Sequence, residues 1–236
     1  MQGSFEDEGY WLRSWSNETY LWYDEIQDRD PSFYATSSGG VLEYFDLLKT
    51  EETTPSGNPK DRFHFTRNTA EYEAESQQGI TFGYGATYQL ISSSPPRELV
   101  IVLVNKNSPA ADAGLRRGDR IVTVDGVDLV DGSDTETLNS GLWPDSVDEE
   151  HSFEVLDPTT SEIRTVTMES AQINTDAVPK TQILETDSGP VGYLLFTDHI
   201  LTAEQQLVDA ITEMRDSNVT DLVLDLRYNR GGYLYL

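Results

Sequence analysis

The sequence predicts a multi-domain α+β protein with a helical N-terminal segment, a β-rich middle domain and a βαβ unit at the end. Three observations carry that expectation. Large apolar residues recur at spacings of three and four between Glu8 and Ile26, as on one face of a helix. Short apolar runs separated by turn chemistry fill Gly79 to Met168, and two near-continuous apolar strands flank an amphipathic helix after Val191.

In the first segment Leu12, Trp15, Thr19 and Trp22 share a helical face, so both indoles are expected in a packed stripe. A second helix is expected over Gly40 to Leu48. The stretch "KTEETTPSGNPKD" that follows reads as an exposed loop. In the middle domain "LVIVLV", from Leu99 to Val104, suits a buried strand, and "IVTVDGVDLV" from Ile121 carries an Asp-Gly hairpin turn at Asp125 and Gly126. Between them Ser108 is placed to cap a short helix, with Pro109 in its first turn and Gly114 at its left-handed end. "HSFEVLD" and "IRTVTM" supply two further strands. At the end, "VGYLLF" and "DLVLDL" bracket a helix striped by Leu207, Ala210, Ile211 and Met214, with Thr202 and Gln205 in capping-box spacing. A right-handed βαβ crossover makes those two strands parallel.

Sixteen Lys and Arg against 42 Asp and Glu give a formal charge of -26, which repels phosphate backbones and argues against a nucleic-acid partner. No apolar run is long enough to be a transmembrane segment, and the start lacks the order of a secretion signal. The absence of cysteine excludes disulfides and thiolate chemistry. His64, His151 and His199 stand in separate segments without metal-ligand spacing, so neither a metal nor any other cofactor is expected.

"SPAADAGLRRGDRIVTVDGVDL" resembles the core of bacterial PDZ domains. That resemblance implies capture of a peptide or protein C-terminus as an added strand, with backbone amides of a glycine-containing loop meeting the carboxylate. By position the loop is Phe82-Gly83-Tyr84-Gly85-Ala86, with Arg97 or Lys106 as candidate helpers. Glycine suits such a loop because it permits positive φ and close backbone approach.

"LVLDLRYNRGG" is similar to the strand and turn of the carboxyl-terminal processing peptidases, also called tail-specific proteases, and "YLWYDE" at Tyr20 to Glu25 is similar to their N-terminal helical region. The resemblance implies a ClpP/crotonase-like α/β catalytic domain, a serine nucleophile with a lysine base, and a periplasmic or cell-envelope location. It makes Gly231 or Gly232 the backbone donor of an oxyanion hole, with Asp225, Arg227 and Asn229 holding the turn by hydrogen bonds. Arg230 stands where the family often has Pro or Gly.

The expected division is 1–78 helical segment and linker, 79–170 PDZ domain, and 171–236 the beginning of the catalytic domain. In the family the serine follows the glycine turn by some tens of residues, and this sequence stops at Leu236. The expectation is therefore an N-terminal fragment of a peptidase that binds tails and does not itself cleave. Two alternatives stand beside it: a non-enzymatic PDZ scaffolding protein, and a terminal sheet completed by a second chain.

Overall fold

The computed structural model describes residues 3–236. It divides into two compact units at the Asn68–Thr69 junction.

The first unit is helical. Helix α1 (Phe5–Thr19) begins with a capping box in which Asp7 N–H donates to Ser4 Oγ at 3.1 Å and Ser4 N–H donates to Asp7 Oδ2 at 2.8 Å. Helix α2 (Ser38–Asp46) places Tyr44 in the interior, with its hydroxyl donating to Arg29 O at 2.9 Å. The expected indole stripe does not form. The chain turns extended at Tyr20, which leaves Trp22 outside the helix, and Trp11 and Trp15 stack on each other 5.8 Å apart with more than half of each exposed. The buried residue of α1 is Gly9, so the helix is seated by its smallest residue instead of its largest.

The second unit opens with α3 (Thr69–Glu73) and a π-helical turn, Ala74–Gln78. Strand β1 (Ile80–Gly83) pairs antiparallel with β8 (Ala171–Asn174). A six-stranded antiparallel sheet contains β2 (Ala86–Ser92), β3 (Glu98–Val104), β4 (Arg120–Val124), β6 (Glu150–Leu156) and β7 (Ile163–Glu169) in spatial order. The short β5 (Val127–Asp128) closes a hairpin on β4 through Asp125 and Gly126, both at positive φ as a type I′ turn requires. Helix α4 (Pro109–Asp112) is capped as expected, Ala111 N–H donating to Ser108 Oγ at 3.2 Å. Helix α5 (Thr135–Leu142) adds Leu138 and Leu142 to a core built on Ile101, Ile121, Phe153 and Val155.

Beyond β8, a three-stranded sheet runs in the order β11-β10-β9, from β9 (Lys180–Thr186), β10 (Gly189–Leu195) and β11 (Asp221–Asp225). β10 and β11 are parallel and joined through α6 (Ala203–Asp216), so the βαβ unit is present. Two details differ from expectation. Thr202 sits at φ -69° and ψ -15°, already helical, and makes no side-chain cap; only a residue in extended backbone can turn its hydroxyl onto the first turn. Ile211 is nearly half exposed, whereas Ala210 and Met214 are buried against Leu194 and Phe196. Leu222, Val223, Leu224 and Leu226 are each about half exposed. The architecture is multi-domain α+β.

Candidate peptide-binding loop and glycine turn

The loop between β1 and β2 is held by its carbonyls. Ala110 N–H donates to Tyr84 O at 2.9 Å, and Asn105 N–H donates to Gly85 O at 2.8 Å. The Tyr84 ring is buried edge-on to Phe153 at 5.4 Å, anchoring the loop to the core. Gly85 takes φ +75°, and a side chain there would meet Ser108 Cβ at 2.4 Å. With both carbonyls tied down, the N–H groups of Tyr84 and Gly85 have no acceptor among the described residues. Two adjacent amides without acceptors on a fixed loop are what an anion-binding nest requires.

Two further features sit beside the nest. β2 is the edge strand of its sheet, so its outer hydrogen-bonding groups face open space. A cavity of about 400 Å³ follows the loop from Phe82 through Tyr88, walled by Leu142, Trp143 and Pro144 at the end of α5. The candidate helpers are elsewhere. Arg97 is occupied by the carbonyls of Leu129 and Gly132, at 3.3 and 2.6 Å, because that loop needs donors for its unpaired acceptors. Lys106 lines a different cleft.

The same cavity reaches Thr197, Asp198, Tyr228 and Arg230, bringing the second sequence motif alongside the first. Asp225 ends β11, buried, and accepts from the backbone N–H and Nε of Arg227, both at 3.0 Å to Oδ1, and from the Tyr193 hydroxyl at 2.7 Å. Asn229 donates to Phe196 O at 3.3 Å and accepts Gly231 N–H at 2.9 Å. Arg230 contributes its backbone N–H to Thr197 O at 2.8 Å and its Nε to Asp198 at 2.8 Å. The turn is thus stitched to the loop after β10, completed by His199 N–H donating to Gly231 O and Tyr233 N–H donating to His199 O, both at 2.9 Å. Gly231 N–H is spent on Asn229. Gly232 N–H has no acceptor among the described residues, and its backbone passes so close to His199 that a side chain would lie 2.3 Å from His199 O.

The side-chain donation from Arg227, together with that from Tyr193, holds the Asp225 carboxyl far below the usual carboxylate range. A group with a depressed folded-state pKa contributes stability that is complete above its unfolded value and lost as pH falls below it. Amide protection factors across 225–233, taken relative to the intrinsic exchange rate at each pH, are therefore expected to be lower at about pH 3 than at neutral pH. Asp225→Asn should show low protection at both. Parent-like protection in that variant would show that the carboxylate does not hold the turn.

The PDZ domain family model matches residues 100–138 and the peptidase family S41 model matches residues 190–236. Both matches, with the relatives that follow, make the chain similar to carboxyl-terminal processing peptidases. It is 28% identical over 162 residues to carboxyl-terminal-processing peptidase 2, chloroplastic, of Arabidopsis thaliana, covering 66% of this chain and 30% of that protein. It is 24% identical over 218 residues to the carboxy-terminal processing protease CtpB of Bacillus subtilis, covering 89% and 44%. The chain thus spans less than half the length of these curated relatives. Among solved structures, an S41 protease from Bacteroides fragilis shares the fold at a TM-score of 0.51 and 20% identity, over 95% of this chain and 56% of that one.

The three histidines have local partners. His64 stacks on Phe45 at 4.0 Å, His151 Nδ1 lies 2.6 Å from Asp125, and His199 packs edge-on to Phe196 at 4.6 Å. Among the described residues no three His, Asp or Glu side chains are placed to hold a metal, and no helix is long and apolar enough to cross a membrane. Sequence reasoning missed that the peptide loop and the glycine turn share one cavity. Nothing in the spacing signals it, because β9, β10 and α6 lie between the two.

Proposed function

We propose that the chain recognises polypeptide C-termini through its PDZ domain and belongs to a peptidase that cleaves the chains so held. The observation that carries the first part is the pair of unpaired amides at Tyr84 and Gly85 beside the open edge of β2. A tail adds to β2 as an extra strand, its terminal carboxylate meets those amides, and its last side chain enters the cavity toward Leu142 and Trp143. Phe82, Gly83 and Ala86 shape the approach. In this reading 1–78 is a helical segment and linker, 79–170 is the PDZ domain and 171–236 begins the catalytic domain.

Gly232 supports the second part. Its N–H stands on the glycine turn with no acceptor, as a donor to a developing oxyanion requires, whereas Gly231 has spent its own on Asn229. When a serine oxygen adds to the scissile carbonyl and its proton passes to a lysine amine, the carbonyl oxygen gains the charge that this donor stabilises. No residue of this chain is assigned as nucleophile or base. The match over 190–236 favours this reading over a scaffold that only binds. By the same resemblance the protein works outside the cytoplasm, in the periplasm or cell envelope.

Fluorescence anisotropy with apolar-ended peptides tests the first part. Free-acid tails are expected to bind about tenfold or more tightly than the same tails amidated, because amidation removes the charge that the nest receives. Equal affinity for the two forms overturns the carboxylate nest.

A further inference from the structure

A second cleft in the 69–236 unit, of about 550 Å³, lies between the end of β3 and the start of β9. Three cations line it: Lys106 after β3, Arg117 after α4 and Lys180 at the head of β9. Two of the chain's four lysines therefore meet at one place. In a chain with 42 acidic residues a cation is expected to find a carboxylate. Among the described residues none of these three has one within ion-pair distance, although Arg120, Arg164, Arg227 and Arg230 all do.

Aromatic rings hold two of the three cations in place of acids. The Arg117 guanidinium stands 5.3 Å from the centre of the Tyr228 ring, and the Lys180 ammonium 5.6 Å from that of Tyr193. A ring face orients a cation without neutralising it, so the charge stays available to a ligand. The carboxylate on the cleft wall is Asp176, whose Oδ1 accepts Val178 N–H at 3.1 Å. Three cations against one carboxylate, in a concave site, give a positive field inside a strongly negative molecule. At physiological ionic strength that field survives, since the screening length of about 8 Å shields the distant acids more than the adjacent cations.

The walls between the charges are apolar, formed by Val102, Val104, Val178 and Leu195. A small inorganic anion would use the cations and leave those walls bare. Nucleic acid is disfavoured by the net charge of -26. We propose that the cleft binds an acidic segment of a polypeptide, with its carboxylates on Lys106, Arg117 and Lys180 and its apolar residues against the walls. Leu103, Asn105, Asp176 and Tyr228 line both this cleft and the tail cavity, so the acidic segment sits next to a captured tail. This binding requires no free C-terminus and stands apart from tail recognition.

The test uses a labelled peptide alternating Glu and Leu, amidated so that it cannot use the nest, titrated against the whole chain at about 0.15 M salt. The amidated peptide is expected to bind, and the double variant Lys106→Gln, Lys180→Gln to weaken it by about tenfold or more. Arg117→Gln should act in the same direction. Lys49→Gln, in the first unit, should leave it unchanged. The three cleft side chains are exposed and Lys49 is partly buried, and coincident melting curves would confirm an intact fold. The double variant should still bind a free-acid apolar tail as the parent does, which separates this site from the nest. No binding of the acidic peptide, parent-like binding by the double variant, or displacement by inorganic phosphate at matching concentration would each overturn the proposal.

Discussion

Gly85→Ala is expected to reduce the affinity for free-acid tails by about a hundredfold, a change of about 2.8 kcal/mol. The added methyl would stand 2.4 Å from Ser108 Cβ and 2.7 Å from Ser108 Oγ, on a backbone at φ +75° that alanine adopts at a cost. Ser108 cannot retreat freely, because its hydroxyl caps α4 and also donates to Asn105 O at 2.8 Å. The loop must move instead, and with it the two amides that define the nest. Titration of the same labelled tails measures the loss, with a melting curve to show that the core survives. Unchanged affinity would mean that the carboxylate is not received at this loop.

Phe153→Ala is expected to destabilise the fold around the six-stranded sheet by about 3–5 kcal/mol, a large part of the 5–15 kcal/mol typical of a domain. Phe153 is fully buried on β6, in register with Val124 on one side and Val166 on the other. Its removal opens a cavity in the middle of the sheet's packed face and withdraws the ring against which Tyr84 rests. Urea melts give the stability change directly. Because Tyr84 carries the loop, tail affinity should also fall under conditions where the variant remains folded. Loss of stability with full retention of affinity would show that the nest is held by Ala110 and Asn105 alone.

The parts of the fold legible in the sequence are those where local chemistry and final structure agree. Ser108, Pro109 and Gly114 specify α4 without help from distant residues, and Asp125-Gly126 specifies its hairpin. The apolar runs at Leu99 and Val191 give strands because each is buried on at least one face. Helix α5 was not legible: Thr, Asn, Ser and Gly fill much of it, and these are poor helix formers whose helix is stabilised by Leu138 and Leu142 entering the core. Strand β8 is four residues long and has meaning only through its partner β1, some ninety positions earlier. The indoles of α1 misled for the opposite reason. A helical period shows which residues share a face and does not show which face is covered.

For the site, the glycines of the loop and the Asp-Leu-Arg turn were visible because both are contiguous motifs. The cleft of Lys106, Arg117 and Lys180 was not, since three loops must fold before those residues become neighbours. The roles of Arg97 and Gly231 could not be read either. Each is fixed by which acceptor reaches it first, a carbonyl pair in one case and Asn229 in the other.

The Asp125-Gly126 turn carries one last consequence, for chemical ageing. Asp-Gly sequences isomerise when the glycine nitrogen attacks the aspartyl carbon and closes a succinimide ring, a reaction that needs a protonated carboxyl and a mobile side chain. Here burial pushes the Asp125 carboxyl up, but hydrogen bonding to His151 and Ser152 outweighs it and leaves the pKa lowered. Oδ1 accepts Ser152 N–H at 2.8 Å while Oδ2 lies 2.6 Å from His151, so both oxygens are held by partners and the side chain is not free to turn. The dipeptide that makes the tightest hairpin would ordinarily be the site where an old molecule first acquires a kinked backbone. In this fold the partners that set its shape also slow its clock.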